Sequence, residues 1–120
     1  MNEKRLIGDR AEQAVADALS IRGFTVIARN FSVHNVGEID IAMIKGNTVY
    51  VIEVKSRLDG NLYQSAQEAV SAGKIRRIKN TTRYLISRFG LEDKDVIFLA
   101  GCVTHNAAGV VQKIEIIPFE

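Results

Sequence analysis

The spacing of apolar residues along the chain predicts two long amphipathic helices. Between residues 3 and 22, apolar side chains recur three and four positions apart, which is the period of one helical face. The same spacing predicts a helix over residues 74–89 that ends at Gly90, and a shorter helical piece at 65–72 that Gly73 separates from it. The residues predicted to face the core from the longer helix are Ile75, Ile78, Leu85 and Phe89.

Apolar runs that are continuous or alternate with polar residues predict five strands. Their ranges are 24–31, 36–45, 48–56, 95–104 and 109–119. The run at 95–104 is typical of a strand buried on both faces. The run at 109–119 alternates and ends near the only proline, which favours a half-exposed edge strand. The resulting order, α-β-β-β-α-β-β, predicts an α/β protein with a mixed sheet and helices packed on it.

Composition narrows the class of protein without naming a function. A chain of 120 residues is the size of one domain, so residues 1–120 are expected to form a single unit. The net charge is only +2, and the one cysteine, Cys102, excludes an internal disulfide. No apolar run approaches the length of a membrane span, and the first residues lack the apolar core of a signal peptide. We expect a soluble, cytoplasmic protein without a membrane partner.

Charged residues interrupt the second and third predicted strands. Gly46-Asn47 between them is a hairpin signal, and with a two-residue loop Asp40 faces Glu53 and Glu38 faces Lys55. Facing side chains lie about 5 Å apart on one side of an antiparallel pair, so the two carboxylates would repel each other. A three-residue loop would instead put these two acids on opposite faces.

A divalent cation between Asp40 and Glu53 would remove that repulsion. Carboxylate oxygens and water are the usual ligands of Mg²⁺, and Mn²⁺ accepts the same donors. The alternative is a salt-bridge cluster without a metal, formed by Asp40, Glu53, Glu38 and Lys55, or simply an exposed strand end. The apolar surroundings of both acids favour the metal site.

Two further residues extend the candidate site. Glu12 shares the apolar seam of the first predicted helix, where a carboxylate is unusual. It would reach the same cation, or a water bound to it, if that helix packs on the face that carries Asp40 and Glu53. Lys55 projects on the same face as Glu53, where an ammonium can orient a water and stabilise negative charge on a phosphate.

Four segments of the chain resemble a known family. They are GDRAEQAVADALSIRGFTVIARN, GEIDIAM, VYVIEVKSR and AVSAGKIRRIKNTTRYL. Together they resemble the bacterial YraN family of endonuclease-like proteins, within the restriction-endonuclease-like PD-(D/E)xK superfamily, and they are similar to archaeal Holliday-junction resolvases. The resemblance implies a restriction-endonuclease-like fold, with Asp40 and Glu53 as the metal ligands, Lys55 as the catalytic lysine and Glu12 as an additional acidic site residue. We expect Glu12 to hold a second metal or a water.

The sequence departs from the superfamily pattern at two places. Ile39 stands before Asp40, where the motif is named for a proline. The segment Ile97-Phe98-Leu99 stands where the family usually carries Arg-Phe-Asp. The second departure removes two charges and keeps open an alternative in which the fold is retained without catalysis.

Basic residues concentrate on the second long helix, which carries no acid between residues 74 and 88. We expect them to contact phosphates, mostly without regard to nucleic-acid sequence, although a solvated basic face is the simpler alternative. The predicted nucleic-acid-binding residues are Arg57, Lys74, Arg76, Arg77, Lys79 and Arg83.

These observations support two hypotheses about function. The first is a Mg²⁺- or Mn²⁺-dependent endonuclease-like protein that hydrolyses DNA phosphodiester bonds, in branched or structured DNA. The alternative is a nucleic-acid-binding module with a nuclease fold and little or no catalysis. Phosphate contacts do not distinguish DNA from RNA. Cutting both strands would favour a homodimer, although no apolar stripe in the sequence is clearly spare for a dimer contact.

Overall fold

The computed structural model of the chain describes residues 3–59 and 70–119. Within these ranges it contains two helices and five strands. The elements are α1 (Glu3–Ser20), β1 (Thr25–Val33), β2 (Gly37–Lys45), β3 (Thr48–Leu58), α2 (Ala72–Phe89), β4 (Asp95–His105) and β5 (Val111–Pro118). The predicted helical piece at 65–72 lies mostly outside the described residues. The α/β class and the order α-β-β-β-α-β-β predicted from the sequence are confirmed.

The five strands form one mixed sheet in the order β1-β2-β3-β4-β5. β3 and β4 run parallel, and the other neighbouring pairs are antiparallel. The parallel pair requires a crossover connection, which α2 supplies. β5 is an edge strand with half-exposed alternation, as predicted. This is the mixed sheet that the resemblance to restriction-endonuclease-like proteins implies.

The two helices cover opposite faces of the sheet. Successive residues of a strand point to opposite faces, so neighbouring residues of one strand pack against different helices. On β3, Ile52 packs with α1, whereas Val49 and Val51 pack with α2. On β4, Leu99 faces α1 and Ala100 faces α2. Two core layers result, one on each side of the sheet. Among the helices of the described ranges, none is long and apolar enough to cross a membrane.

The start of α2 differs from the prediction. The helix begins at Ala72 and continues through Gly73, so the predicted interruption at that glycine is wrong. Ser71 caps the helix, and its side chain accepts a hydrogen bond from the Lys74 N–H at 3.2 Å. This bond satisfies one of the free N–H groups at the helix start, which makes a glycine tolerable in the first turn. Gly90 ends the helix in a left-handed conformation, as predicted.

The buried face of α2 is partly polar. Ile78 and Leu85 are buried as predicted, and Ile75 packs at the margin of the same core. Phe89 is more exposed than predicted, although its ring lies 6.2 Å from that of Phe31. The apolar pattern missed two buried threonines, whose hydroxyls donate to backbone carbonyls four residues earlier. These residues are Thr81 and Thr82.

Two predicted strands need correction. β1 extends to Val33, beyond the predicted range of 24–31. β4 is buried on both faces only in its second half, since Asp95 and Ile97 are exposed while Val96 and Phe98 pack towards α2. The two helices therefore cover both faces of the second half of β4. One face of its first half stays exposed to solvent.

Candidate functional site

The candidate site lies where β2 and β3 separate. The predicted hairpin register is confirmed from Lys45 opposite Thr48 to Ile41 opposite Ile52. Among the described residues the ladder ends there, and β3 continues its pairing with β4 as far as Leu58. The next residues along, Asp40 and Glu53, therefore stand at the opening of a wedge between two strands.

Asp40 closes this wedge through its side chain. Its Oδ2 accepts a hydrogen bond from the backbone N–H of Val54 at 2.8 Å. The carboxylate thus takes the place of a carbonyl partner that the separated strand β2 no longer offers. An ionised acceptor makes a stronger bond than a neutral one, and the bond fixes the carboxylate beside the start of the Glu53-Val54-Lys55 segment.

The predicted pairing of Glu38 with Lys55 is wrong. Between Ile41 and Glu38, β2 has already separated from β3. Glu38 instead pairs with Ser32 of β1 and is exposed. Lys55 lies beside Cys102 of β4 in the parallel ladder. A hairpin register extrapolated from the turn fails here because the two strands leave each other after Ile41 and Ile52.

Glu53 is the most deeply buried acid of the candidate site, with 4% of its surface exposed. Its Oε1 lies 2.5 Å from Nζ of Lys74, the third residue of α2. Burial and the charge of Asp40 raise the pKa of Glu53, while Lys74 and Lys55 oppose that rise. Burial of a carboxylate next to a second acid costs free energy, and the two lysines offset part of this cost. A carboxyl group with so perturbed a pKa is a candidate for a functional role.

The two lysines of the site differ in their titration. Burial and the neighbouring charge of Lys74 lower the pKa of Lys55, although Glu53 and Asp40 counteract them. Burial also acts to lower the pKa of Lys74, but its hydrogen bond to Glu53 and the charge of that carboxylate outweigh burial and raise it. Lys74 is therefore the firmly charged lysine of the pair, and Lys55 is the one that gives up its proton more readily.

Glu12 approaches from the other face of the sheet. α1 packs on the face opposite to α2, so the condition that α1 covers the face carrying Glu53 is not met. The alternation of β3 explains this, because Ile52 already points at α1 and Glu53 must then point at α2. Asp40 lies between them at the wedge, and its charge raises the pKa of both glutamates.

Glu12 is itself half-buried, with 15% of its side chain exposed. Burial is the largest cause of its raised pKa, followed by the charge of Asp40, and Arg29 counteracts both. Nη2 of Arg29 lies 3.5 Å from Glu12 Oε1, and Nη1 donates to Gln13 at 2.7 Å. Within the described ranges Oε1 of Glu12 is buried without a hydrogen bond. Sequence reasoning missed Arg29, since only the packing of α1 on the sheet brings it to this acid.

The acids do not form a ready-made cage for a cation. Among the residues that the structure describes, no three histidine, cysteine, aspartate or glutamate side chains stand close enough together to hold a metal. Glu12 and Glu53 reach Asp40 from opposite faces of the sheet, which keeps the three acids apart. Glu53 is in addition paired with Lys74.

A cleft of about 210 Å³ opens beside Asp40 and Glu53, between β2 and α2. We call it the inner cleft. Its lining residues are Gly37, Glu38, Asp40, Glu53, Lys74, Arg77 and Ile78. It joins the candidate acids to the side of α2 that carries Lys74 and Arg77.

The six predicted nucleic-acid-binding residues do not share one surface. Lys74 and Arg77 line the inner cleft, and Arg83 lines a hollow further along α2. Lys79 lies over the ring of Phe98, with Nζ 6.0 Å from its centroid. The remaining two, Arg76 on α2 and Arg57 near the end of β3, are exposed.

Comparison with known proteins identifies the family of this chain. Residues 11–99 match the model of the family described as Uncharacterised protein family UPF0102. This range contains the predicted acids, Lys55 and the basic half of α2. A UPF0102 protein of Symbiobacterium thermophilum is 38% identical over 88 residues, covering 73% of each chain.

Two other relatives are similar over comparable or greater lengths. A UPF0102 protein of Dictyoglomus turgidum is 34% identical over 118 residues, covering 98% of each chain. A UPF0102 protein of Caldicellulosiruptor saccharolyticus is 32% identical over 85 residues, covering 71% of this chain and 70% of its own. The chain therefore belongs to the UPF0102 family, which is the YraN family that its sequence motifs predicted.

Proposed function

We propose that this protein is a metal-dependent nuclease that hydrolyses phosphodiester bonds in nucleic acid, with DNA as the expected substrate. The observation that carries the proposal is the position of Asp40. Its carboxylate is fixed at the strand separation by the Val54 N–H, one strand away from the buried Glu53. Lys55 follows on the same face as Glu53, and the inner cleft leads from these groups to cations of α2.

The donor set of the site suits Mg²⁺ or Mn²⁺. Asp40 and Glu53 offer hard carboxylate oxygens, which are the ligands these ions prefer. Asp40 and Glu53 would hold the ion. Oε1 of Glu12 is buried without a hydrogen bond among the described residues, and Glu12 would hold a second metal or a water. When bound, the ion would supply charge stabilisation to the phosphoryl oxygens.

Lys74 has a defined place in this proposal. Its ammonium pairs with the Glu53 carboxylate and so joins α2 to β3 at the site. Asp40 and Glu53 would hold a divalent cation, and Lys74, which lines the inner cleft, would contact a substrate phosphate.

The chemical step consumes one water. The water oxygen forms a bond to phosphorus, and the bond from phosphorus to the leaving sugar oxygen breaks with its electron pair on that oxygen. Solvent takes the proton lost by the water and protonates the leaving oxygen. Lys55 would orient the attacking water and stabilise the negative charge that develops on the phosphoryl oxygens. Arg77 in the inner cleft would hold the phosphate in place for attack.

The competing function is a nucleic-acid-binding module with the same fold. The observation that favours it is the apolar Ile97-Phe98-Leu99 segment of β4, where the superfamily pattern usually has charges. In that case the basic side of α2 would bind phosphates and the acids would be remnants of a site. Remnant acids could still bind a metal without catalysis. Metal binding alone therefore does not distinguish the two functions, and cleavage must also be measured.

Metal binding is tested by titrating Mn²⁺ into the full chain in a calorimeter. Asp40→Asn should abolish binding, because it removes the charge while leaving an oxygen for the Val54 N–H. The matched control is Asp17→Asn, which changes an exposed aspartate of α1. Equal binding by wild type and Asp40→Asn would refute the assignment of Asp40.

Cleavage is tested with linear duplex, single-stranded and four-way-junction DNA, and with single-stranded RNA, each with Mg²⁺ or Mn²⁺. Cutting that disappears in Lys55→Met supports the nuclease. Binding without cutting of any substrate in either metal supports the binding module instead. The expected homodimer stays a prediction, which sedimentation velocity with and without DNA would test.

A further inference from the structure

The inner cleft is one end of a longer groove along α2. A second hollow, of about 440 Å³, shares Gly37, Glu38 and Arg77 with it and is bounded by the turn that joins β1 and β2. A third, of about 470 Å³, shares Val36 with the second. We call these the turn hollow and the outer hollow, and the three together the groove.

The turn between β1 and β2 forms one wall of this groove. Gly37 lies so close to α2 that a Cβ there would be 2.6 Å from Oγ1 of Thr81. The backbone of the turn therefore approaches α2 as closely as only a glycine allows. The groove therefore has two walls built from packed elements, with the candidate acids at its inner end.

The other wall is a single face of α2. Lys74, Arg77, Asn80, Tyr84 and Ser87 follow one another at spacings of three or four residues, which places them in one row on the helix. From Lys74 to Tyr84 this row is about 15 Å long. It runs from the candidate site to the outer hollow, whose lining residues are Val36, Asn80, Arg83, Tyr84 and Ser87.

The charge of this row suits a phosphate backbone. Lys74, Arg77 and Arg83 line successive parts of the groove, and α2 contains no acidic residue. Glu38 is the acid that the inner cleft and the turn hollow share, and it lies beside Arg77 in the lining of both. Of the described residues, one arginine and four neutral residues line the outer hollow, so this part of its lining carries a positive charge.

Tyr84 adds a feature that phosphate binding alone does not need. Its side chain is 53% exposed in the outer hollow, beside Arg83 in sequence. An exposed aromatic ring next to cations is the arrangement on which unpaired bases stack in proteins that bind single strands. A duplex cannot use it in this way, because both faces of each internal base are already stacked on neighbouring bases.

We propose that the groove binds a single-stranded segment of nucleic acid, with an unpaired base stacked on Tyr84 and the backbone led past Arg83 and Arg77 to the candidate site. This inference rests on the proposed function for the identity of the inner end. It adds the class of substrate: strands with an unpaired stretch next to the bond that is cut, such as flaps, gaps or open junctions.

The test is fluorescence anisotropy of the full chain with labelled oligonucleotides of equal length in EDTA. The oligonucleotides are single-stranded DNA, single-stranded RNA and duplex DNA. We expect single strands to bind more tightly than the duplex, and Tyr84→Leu to weaken single-strand binding by about tenfold or more. Tyr84→Phe, which keeps the ring, should bind like wild type.

Salt dependence distinguishes the two kinds of contact. Arg83→Gln should make the slope of log affinity against log salt shallower by about 0.7, the value for one phosphate contact to a single strand. Tyr84→Leu should lower affinity without changing that slope, because stacking releases no counterion. The matched control is Arg22→Gln, which removes the same charge from an exposed residue beyond the end of α1 and should change neither quantity.

Three results would overturn the proposal, and thermal melting of each variant confirms that it is folded. The first is single-strand binding by Tyr84→Leu equal to that of wild type. The second is duplex binding as tight as single-strand binding, and the third is no binding of any oligonucleotide. A preference for RNA over DNA would keep the groove and change the sugar of its substrate.

The failure of this inference and that of the proposed function are distinguishable. Binding in EDTA does not involve the metal, so single-strand binding is measured independently of Mn²⁺ binding and of cutting. A chain that binds single strands through Tyr84 but neither binds Mn²⁺ nor cuts would refute the nuclease and keep the groove. A chain that binds Mn²⁺ and cuts duplex DNA, with no effect of Tyr84→Leu, would refute the single-strand groove and keep the nuclease.

Discussion

Nζ of Lys74 on α2 lies 2.5 Å from Oε1 of Glu53 on β3, so the buried glutamate is paired with a cation of the helix that packs on its face of the sheet. This ion pair joins the only described helix on that face of the sheet to the strand that carries Glu53 and Lys55. It also means that the metal-free site is already neutralised in part. Any divalent cation at Glu53 must therefore compete with a side chain of the protein.

Removing this competitor should strengthen metal binding while weakening the metal-free fold. We expect Lys74→Met to lower the free energy of unfolding by about 1–2 kcal/mol without metal, less than for a fully buried pair because Lys74 is 36% exposed. Calorimetry should show tighter Mn²⁺ binding by the variant than by wild type. Denaturant melts with and without Mn²⁺ should show a larger stabilisation by the metal.

The matched control is Lys79→Met, which removes the same charge from α2 at a residue that lies over Phe98. Its Mn²⁺ affinity should equal that of wild type. Weaker Mn²⁺ binding by Lys74→Met than by wild type and by Lys79→Met would mean that Lys74 helps to hold the metal and does not compete with it.

The two roles of Asp40 can be separated by two substitutions. Asp40→Asn keeps an oxygen acceptor for the Val54 N–H, so its stability should stay close to that of wild type. Asp40→Ala leaves this half-buried N–H without its partner and should cost about 1–2 kcal/mol of unfolding free energy. Urea denaturation measures both. Equal losses of stability in the two variants would show that the charge, and not the hydrogen bond, is what stabilises the strand separation.

The raised pKa of Glu12 predicts a specific pH dependence of stability. A carboxyl whose pKa is higher in the folded state than in the unfolded state contributes stability below its ordinary value of 4.5, and loses this contribution as the pH rises through the folded value. At pH 7 the buried carboxylate is therefore a net cost. Glu12→Gln should melt at a higher temperature than wild type at pH 7, and the difference should shrink towards pH 4.

The control for this comparison is Glu92→Gln, the same substitution at an exposed glutamate beyond the end of α2. Its melting temperature at pH 7 should equal that of wild type. Lower stability of Glu12→Gln at pH 7 would show that the ion pair with Arg29 outweighs the burial of the carboxylate.

Glycine is required at position 37 by packing. A methyl group there would meet Oγ1 of Thr81 at 2.6 Å and the backbone carbonyl oxygen of Arg77 at 3.2 Å. Gly37→Ala should lower the free energy of unfolding by about 1–3 kcal/mol and push the β1–β2 turn away from α2. Gly8→Ala is the opposite case, since nothing lies within 4 Å of its Cβ position on α1. It should stabilise the chain by about 0.5–1 kcal/mol, and thermal melts of the two variants check both signs.

The hairpin was readable from the sequence because its determinants are local. Two residues, Gly46 and Asn47, set the turn, and the alternating apolar residues on both sides set the faces. The register predicted from the turn holds for the five pairs from Lys45–Thr48 to Ile41–Ile52. That was enough to bring Asp40 and Glu53 to the same place.

The same reasoning failed where long-range packing takes over. Glu38 was predicted to face Lys55 because a hairpin was assumed to continue, but β2 stays with β1 while β3 stays with β4. The interruption at Gly73 was predicted from the residue type alone, and the Ser71 cap removes the need for it. The side of the sheet reached by Glu12 depended on where α1 packs, which no local pattern contains.

By itself, the sequence determined the order of the elements, the turn that pairs β2 with β3, and the presence of acids and a lysine within otherwise apolar strands. These follow from periodicity and turn chemistry, which act over a few residues. The tertiary structure decided that the strands separate at Asp40, that Lys74 neutralises Glu53, and that Glu12 arrives with Arg29 from the opposite face. It also decided that one row of α2 borders a groove with Tyr84 at its outer end. These relationships join residues from about 14 to nearly 50 positions apart, and they exist only because two helices pack on opposite faces of one sheet.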